Sequence, residues 1–185
     1  MKQNHLKQRH LNSRGRWGGR SGLAMMEFAI GSLVLTTVFA GTFQFGYMFY
    51  QYNLLEDAVV TAAHWAAQYT YVSTTSTPSS DLLTKVQNMT VYGDPTGTNT
   101  TPVVPNLTTA NVNFTVTMSG SGTQVVPGTM TVAIGGGSAT NFTINGIFPN
   151  WHGIIASFTA NGKPTATYPF QGVFAPDPTC SASGC

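Results

Sequence analysis

No charged side chain occurs between Phe28 and Leu55. As an α-helix that stretch would run about 42 Å, more than the ~30 Å hydrocarbon core of a bilayer. Its distal end is crowded with rings, namely Phe43, Phe45, Tyr47, Phe49, Tyr50 and Tyr52, and Trp17 marks the proximal side. Aromatic rings of this kind favour the headgroup zone. Lys2, Lys7, Arg9, Arg14, Arg16 and Arg20 precede the segment. Beyond Gly22 only Lys85 and Lys163 remain, set against Glu27, Glu56, Asp57, Asp81, Asp94 and Asp177. Basic residues before an apolar span place the N-terminus in the cytoplasm.

A cleaved secretory signal competes with a retained span. A basic start, an apolar run and the Val38-Phe39-Ala40 triplet satisfy its pattern. Two features oppose it. The apolar run continues some ten residues past Ala40, and the basic region is long, ending at Gly22 with Glu27 five residues on.

Charged residues make up 8% of the chain, against about 25% for an ordinary soluble domain. The basic leader alone does not make a nucleic-acid-binding protein, because the rest of the chain carries almost no Lys or Arg. Cys180 and Cys185 are the two cysteines, both at the extreme C-terminus. Either they form a disulfide closing a very short loop, which suits an oxidising compartment, or they are free thiols in a frayed tail. No His lies near them in sequence, which argues against zinc.

The run Arg20-Ser21-Gly22-Leu23-Ala24-Met25-Met26-Glu27-Phe28 resembles the processing site of type IV prepilin-like proteins. The longer stretch, GLAMMEFAIGSLVLTTVFAGTFQFGYMFYQYNLLEDAVVTAAHWAA, resembles the TadE-like minor pseudopilins of the Flp/Tad pilus system. The matching features are Glu27-Phe28-Ala29, the apolar run, Phe45-Gly46, the ring-rich Tyr47–Tyr52 and the Ala-rich Ala58–Ala67. The resemblance covers about residues 20–70. It implies that a prepilin peptidase cuts after Gly22, leaving Leu23 as the new N-terminus and Glu27 as the fifth residue. It also implies that Glu27 and Phe28 help set the register of assembly. The chain departs from the family pattern in carrying Thr36, Thr37, Thr42 and Gln44 within the span.

Glu27 has a physical reading beside the resemblance. A carboxylate in the first turn of a helix is stabilised by the helix dipole, and deeper in hydrocarbon it is costly without a partner. Cleavage after Gly22 would free a positive amine on Leu23, one turn away. Glu27 either pairs with such an amine, on its own chain or a neighbour, or rests in the headgroup region alone.

Phe45, Met48, Tyr52, Leu55, Val59, Ala62, Ala66 and Tyr69 recur at steps of three and four, one stripe of a continuous helix. The Ser/Thr run 73–77 and Pro78 signal its end. The stripe covers either the domain of its own chain or the same helix of other subunits. Glu56 and Asp57 are neighbours pointing in different directions and form no catalytic pair. His64 has no second ligand at helical spacing and reads as a surface or interface residue.

A short amphipathic helix is expected from Asp81 to Met89, then a loop over 93–110. Val112, Phe114, Val116 and Met118 alternate with polar neighbours, as do Met130, Val132 and Ile134. Gly135-Gly136-Gly137 reads as a hairpin loop leading to Phe142 and Ile144. Ile154, Ala156 and Phe158 lead through Asn161-Gly162, a type I′ signal, to Thr165–Phe170. Pro164 and Pro169 put that last strand at an edge. The sum is one antiparallel sheet of four or five strands with a Thr-, Ser- and Asn-rich outer face.

No Gly-x-Ser-x-Gly elbow or phosphate loop is present, and the acidic residues are scattered, so no catalytic residues, metal ligands or cofactor site are expected. The expected fold is α+β: a long N-terminal membrane-spanning helix continuing outside the membrane, then a small antiparallel β-sheet domain. The expected organisation is a cytoplasmic leader (1–22), a transmembrane helix (23–50), an extracytoplasmic extension (51–72), a β-rich domain (79–179) and a Cys-containing tail (180–185). Such a protein sits in the inner (cytoplasmic) membrane, its N-terminus cytoplasmic and its C-terminal domain outside. The resemblance implies a non-enzymatic role in pilus assembly or structure. The implied partners are prepilin peptidase, other pilins or pseudopilins, pilus platform proteins and the lipid membrane, but neither nucleic acid nor a small-molecule substrate. The alternative is an unprocessed, membrane-anchored binding or adhesion domain. A weaker third is a secreted β-domain released by a signal peptidase.

Overall fold

The computed structural model describes residues 18–121, 125–147 and 157–177. Helix α1 (Gly18–Gln68) is followed by α2 (Ser80–Tyr92) and five strands: β1 (Val112–Ser119), β2 (Val126–Ile134), β3 (Phe142–Asn145), β4 (Ser157–Ala160) and β5 (Thr165–Pro169). The expected α+β architecture is therefore present. The chain divides into two compact units, Met1–Phe43 and Gln44–Cys185.

The described part of the first unit is the apolar start of α1. It forms part of a helix long and apolar enough to cross a membrane, and none of its most apolar window is buried. The large side chains from Leu23 to Phe43 are exposed. A soluble fold would have to cover such a surface, whereas lipid solvates it.

In the second unit the remainder of α1 lies on a hydrophobic core. Leu55, Val59, Ala62, Ala63, Ala66 and Ala67 are buried, and Met48, Tyr52 and Tyr69 pack against the same cluster. The outer part of the stripe thus covers the domain of its own chain. Its expected inner member, Phe45, instead faces outward at 72% exposure, while the preceding residue, Gln44, is buried at 3%. The apolar stripe therefore begins at Met48, with Gln44 and Gln51 on the covered side of the helix before Leu55.

Helix α1 stops at Gln68, short of the expected 51–72 extension. The reason is a competing set of backbone partners. Gln171 and Gly172 both donate to the Ala67 carbonyl, and Tyr71 N–H donates to Val173 O. Tyr71 then bridges Phe174 in parallel fashion, and Ala175 and Asp177 donate to Tyr71 O and Val72 O. The C-terminal segment thus satisfies carbonyls that a helix end leaves open.

Helix α2 is capped at both ends. Ser79 accepts from Leu82 N–H, and Gly93, at φ 68°, donates to Met89 O. Leu82, Val86 and Val91 face the core. Lys85 pairs with Asp81 one turn back at 2.7 Å and also reaches the Tyr69 hydroxyl at 2.7 Å. The 93–110 region has no strand. Its turn around Asp94 is tied by bonds from Thr96, Thr98 and Asn99 to the carboxylate.

The strands form two sheets rather than the single sheet expected. One has the order β1-β2-β5, all antiparallel, and the other pairs β3 with β4. Val112, Phe114, Val116, Met130, Val132 and Ile134 face the core as their alternation predicts. On the opposite face Thr131 bonds Thr167 at 2.8 Å, and Thr117 and Thr129 are likewise hydroxyl-bonded across strands.

The expected hairpin around Gly135-Gly136-Gly137 does not form. All three glycines have positive φ and turn the chain out of the sheet after Ile134. A Cβ on Gly135 would stand 2.6 Å from the Ala160 carbonyl oxygen, so the glycine admits the neighbouring hairpin's backbone. The vacated place beside β2 is taken by β5. Asn161-Gly162 accordingly joins strands of different sheets. Gly162 has φ 72° but Asn161 is not in the left-handed region, so this is no type I′ turn. As expected, β5 is an edge strand. Phe158 belongs to β4 but is 46% exposed rather than inward. Ile154 and Ala156, read as the start of that strand, lie outside the described residues.

Candidate membrane anchor and processing site

Gly22, Leu23, Glu27 and Phe28 all lie on one uninterrupted helical stretch near the start of α1. Three glycines, Gly18, Gly19 and Gly22, fall within its first five positions. A Cβ on Gly22 would meet nothing within 4 Å. Leu23 and Glu27 are four residues apart and share a face of the helix. Leu23, Glu27 and Phe28 are all exposed. The structure therefore gathers these residues at one helix end.

The hydroxyls that set this span apart are largely internalised. Ser32 Oγ donates to Ala29 O, Thr37 Oγ1 to Leu33 O and Thr42 Oγ1 to Val38 O, each at 2.9 Å. A hydroxyl bonded back to its own helix presents little polarity to hydrocarbon. Thr37 and Thr42 are thus compatible with a membrane-spanning helix despite their polarity.

At the distal end, Phe45 and Phe49 stack with centroids 6.4 Å apart, and both are exposed. On the covered side Gln44 lies against Gly146, where a Cβ would stand 1.6 Å from Gln44 Nε2. Farther along, Tyr52 meets Phe158 edge-to-face at 6.1 Å. The β3–β4 hairpin therefore sits beside α1 between Gln44 and Tyr52. Sequence reasoning missed Gln44 and Gln51 as inward residues. The available signal was two amides seven apart, two helical turns, in an otherwise apolar and aromatic run.

Among the described residues the remaining titratable groups form no catalytic constellation. His64 takes a 3.3 Å contact from Gln68 Nε2 and an edge-on contact from Tyr168, and it is exposed. Glu56 and Asp57 are both exposed. Among the described residues no three His, Cys, Asp or Glu side chains come together. Hydrogen bonds from Thr98 and Thr96 hold the Asp94 carboxyl well below the usual carboxylate range. Burial raises the Tyr71 hydroxyl, which donates to Thr75 O. Both groups serve loop structure. Cys180 and Cys185 lie outside the described residues.

An exposed apolar helix near the N-terminus, followed by an α+β unit that covers the same helix farther along, suggests single-pass membrane anchoring. Residues 22–64 match the family model described as TadE-like protein, which bears out the resemblance read from the sequence. The match begins at Gly22 and ends at His64, so this TadE-like part holds the span and the covered helix while leaving the sheets outside it. It points to a component associated with Tad pili. No curated protein and no solved structure matches the chain.

Proposed function

We propose that the chain is a TadE-like minor pilin or pseudopilin, a structural or assembly component of a Flp/Tad-type pilus or secretion apparatus. It is inserted in the inner membrane with its leader in the cytoplasm and is cut by prepilin peptidase between Gly22 and Leu23. Its partners are other pilins or pseudopilins and the pilus platform. The observation that carries this reading is the TadE-like match starting at the glycine where cleavage is expected.

The mechanism follows from the helix end. Cleavage puts a positive amine on Leu23, at the positive end of the helix dipole, where a cation is disfavoured. Glu27 stands one turn away and offsets both charges. In a packed array the same carboxylate meets the amine of an adjacent subunit, because an unpaired charge at membrane depth costs about 2.5–3.5 kcal/mol toward the helix centre. Pairing of this kind fixes how far one subunit slides past the next.

Immunoblots of the native host separate the steps. Gly22→Val should leave an uncut precursor heavier by the leader. Glu27→Gln should be cut normally yet lost from pilus-containing fractions. A wild-type chain that co-migrates with Gly22→Val and keeps its leader would favour the unprocessed binding-domain reading instead.

A further inference from the structure

We propose that Asn106 is an acceptor for an N-linked oligosaccharide. This rests on the reading above that the folded unit lies outside the cytoplasm. The motif Asn-x-Thr, with x other than Pro, is the acceptor pattern for such transfer and belongs on a surface loop. The chain carries it at Asn88, Asn99, Asn106, Asn113 and Asn141. Pattern alone does not choose among them, and their surroundings do.

The other four are committed to the fold. Asn88 lies on α2, where a Cβ on Gly97 would stand 2.8 Å from its Nδ2, and Thr90, the hydroxyl of its motif, is fully buried. Asn99 donates from Nδ2 to Tyr92 O and accepts at Oδ1 from Thr101 N–H. Asn113 lies within β1, and a Cβ on Gly137 would stand 2.6 Å from its Nδ2. Asn141 accepts at Oδ1 from Gly136 N–H, and a Cβ on Gly135 would stand 3.1 Å from that oxygen.

Asn106 differs on each count. Its φ is 67°, and Leu107 N–H donates to Val104 O at 3.1 Å. Val104-Pro105-Asn106-Leu107 thus has the pattern of a type II turn, with Pro at the second position and Asn at the third, where positive φ is required. Val104 and Leu107 are buried and fix the turn to the core, while Pro105 and Asn106 are exposed at its tip. Among the described residues no hydrogen bond engages the Asn106 side chain. Thr108, the hydroxyl of this motif, is exposed as well.

The donor is an oligosaccharide carried on a polyprenyl pyrophosphate and used by a membrane transferase. Asn106 Nδ2 bonds to the anomeric carbon as the carbon–oxygen bond to pyrophosphate breaks. The electron pair leaves with the polyprenyl pyrophosphate, and the amide gives one proton to a base of the transferase.

The test is intact-mass and peptide mass spectrometry of the full chain purified from membranes of its native host. Wild type should exceed its polypeptide mass by a whole number of sugar residues, all on the peptide holding Asn106. Asn106→Asp, which tolerates the left-handed turn but lacks the amide, should fall to the polypeptide mass. Asn99→Asp should keep the excess, and so should Thr108→Ser, which retains the hydroxyl. Wild type at its bare polypeptide mass, or sugar on a Thr or another Asn instead, would overturn the proposal. The N-terminal peptide in the same spectra reads the pilin proposal separately. A Leu23 start with bare Asn106 overturns the glycan site alone, whereas a retained leader with sugar on Asn106 upholds the site and overturns the cleavage.

Discussion

Gly172 lies so close to the end of α1 that a Cβ there would stand 2.2 Å from the Tyr69 carbonyl oxygen and 2.9 Å from Gln68 O. The clash is with backbone, which cannot swing aside. Gly172 therefore lets the C-terminal segment dock on the last turn, where Gln171 and Gly172 donate to Ala67 O. Gly172→Ala should destabilise the domain by about 1–3 kcal/mol, the usual cost of forcing atoms into a packed site. Denaturant unfolding in detergent, read by far-UV circular dichroism, measures it.

The two sides of α1 make a sharper contrast. Leu55 is fully buried in the same core cluster as Val59, whereas Phe45 is largely exposed. Leu55→Ala should cost about 2–5 kcal/mol in unfolding free energy, the range for leucine truncation in a core. Phe45→Ala should cost less than about 0.5 kcal/mol. The same denaturation assay reads both, and a reversed order would place the covered face of the helix elsewhere.

Asn111 clamps two loops. Its Oδ1 accepts from Thr108 N–H and hydroxyl, and its Nδ2 donates to the Thr140 carbonyl and hydroxyl. Alanine at this buried position strands those groups, at about 1–3 kcal/mol. Thermal melts of Asn111→Ala should show the loss, and hydrogen exchange should report it first at Thr140 N–H, which is bonded to Ala110 O.

Acid should loosen the 93–101 turn late. Hydrogen bonds from Thr98, then Thr96, favour the ionised Asp94 and depress its pKa. A depressed carboxyl contributes stability above its unfolded value, about 3.9, and loses it as pH falls through the folded value. The stability gap between wild type and Asp94→Asn should therefore be constant from pH 7 to about 5 and shrink progressively below that. Carboxyl-carbon NMR should show Asp94 titrating below the usual aspartate range.

The apolar run, the segregated charge and the Ala-rich stripe were legible because each depends on local period or composition alone. The alternation at Val112–Val116 and Met130–Ile134 was legible for the same reason. Strand partnership was not. Gly135-Gly136-Gly137 supplies positive φ for a hairpin and equally for an exit from the sheet. The choice between them rests on the approach of Ala160 from a strand 25 residues later. Likewise Gln44 looked like a blemish in a lipid-facing helix. Its burial depends on Gly146, a contact no helical periodicity carries. Gly22 and Leu23 enter the proposal through family resemblance alone, since glycine before an apolar helix has no unique physical meaning.

The most direct test is the intact mass and N-terminal sequence of the native chain extracted from its membrane. The account predicts one species beginning Leu23-Ala24-Met25-Met26-Glu27 and requiring detergent to stay in solution. A detergent-free soluble chain beginning at Gly41 would contradict it.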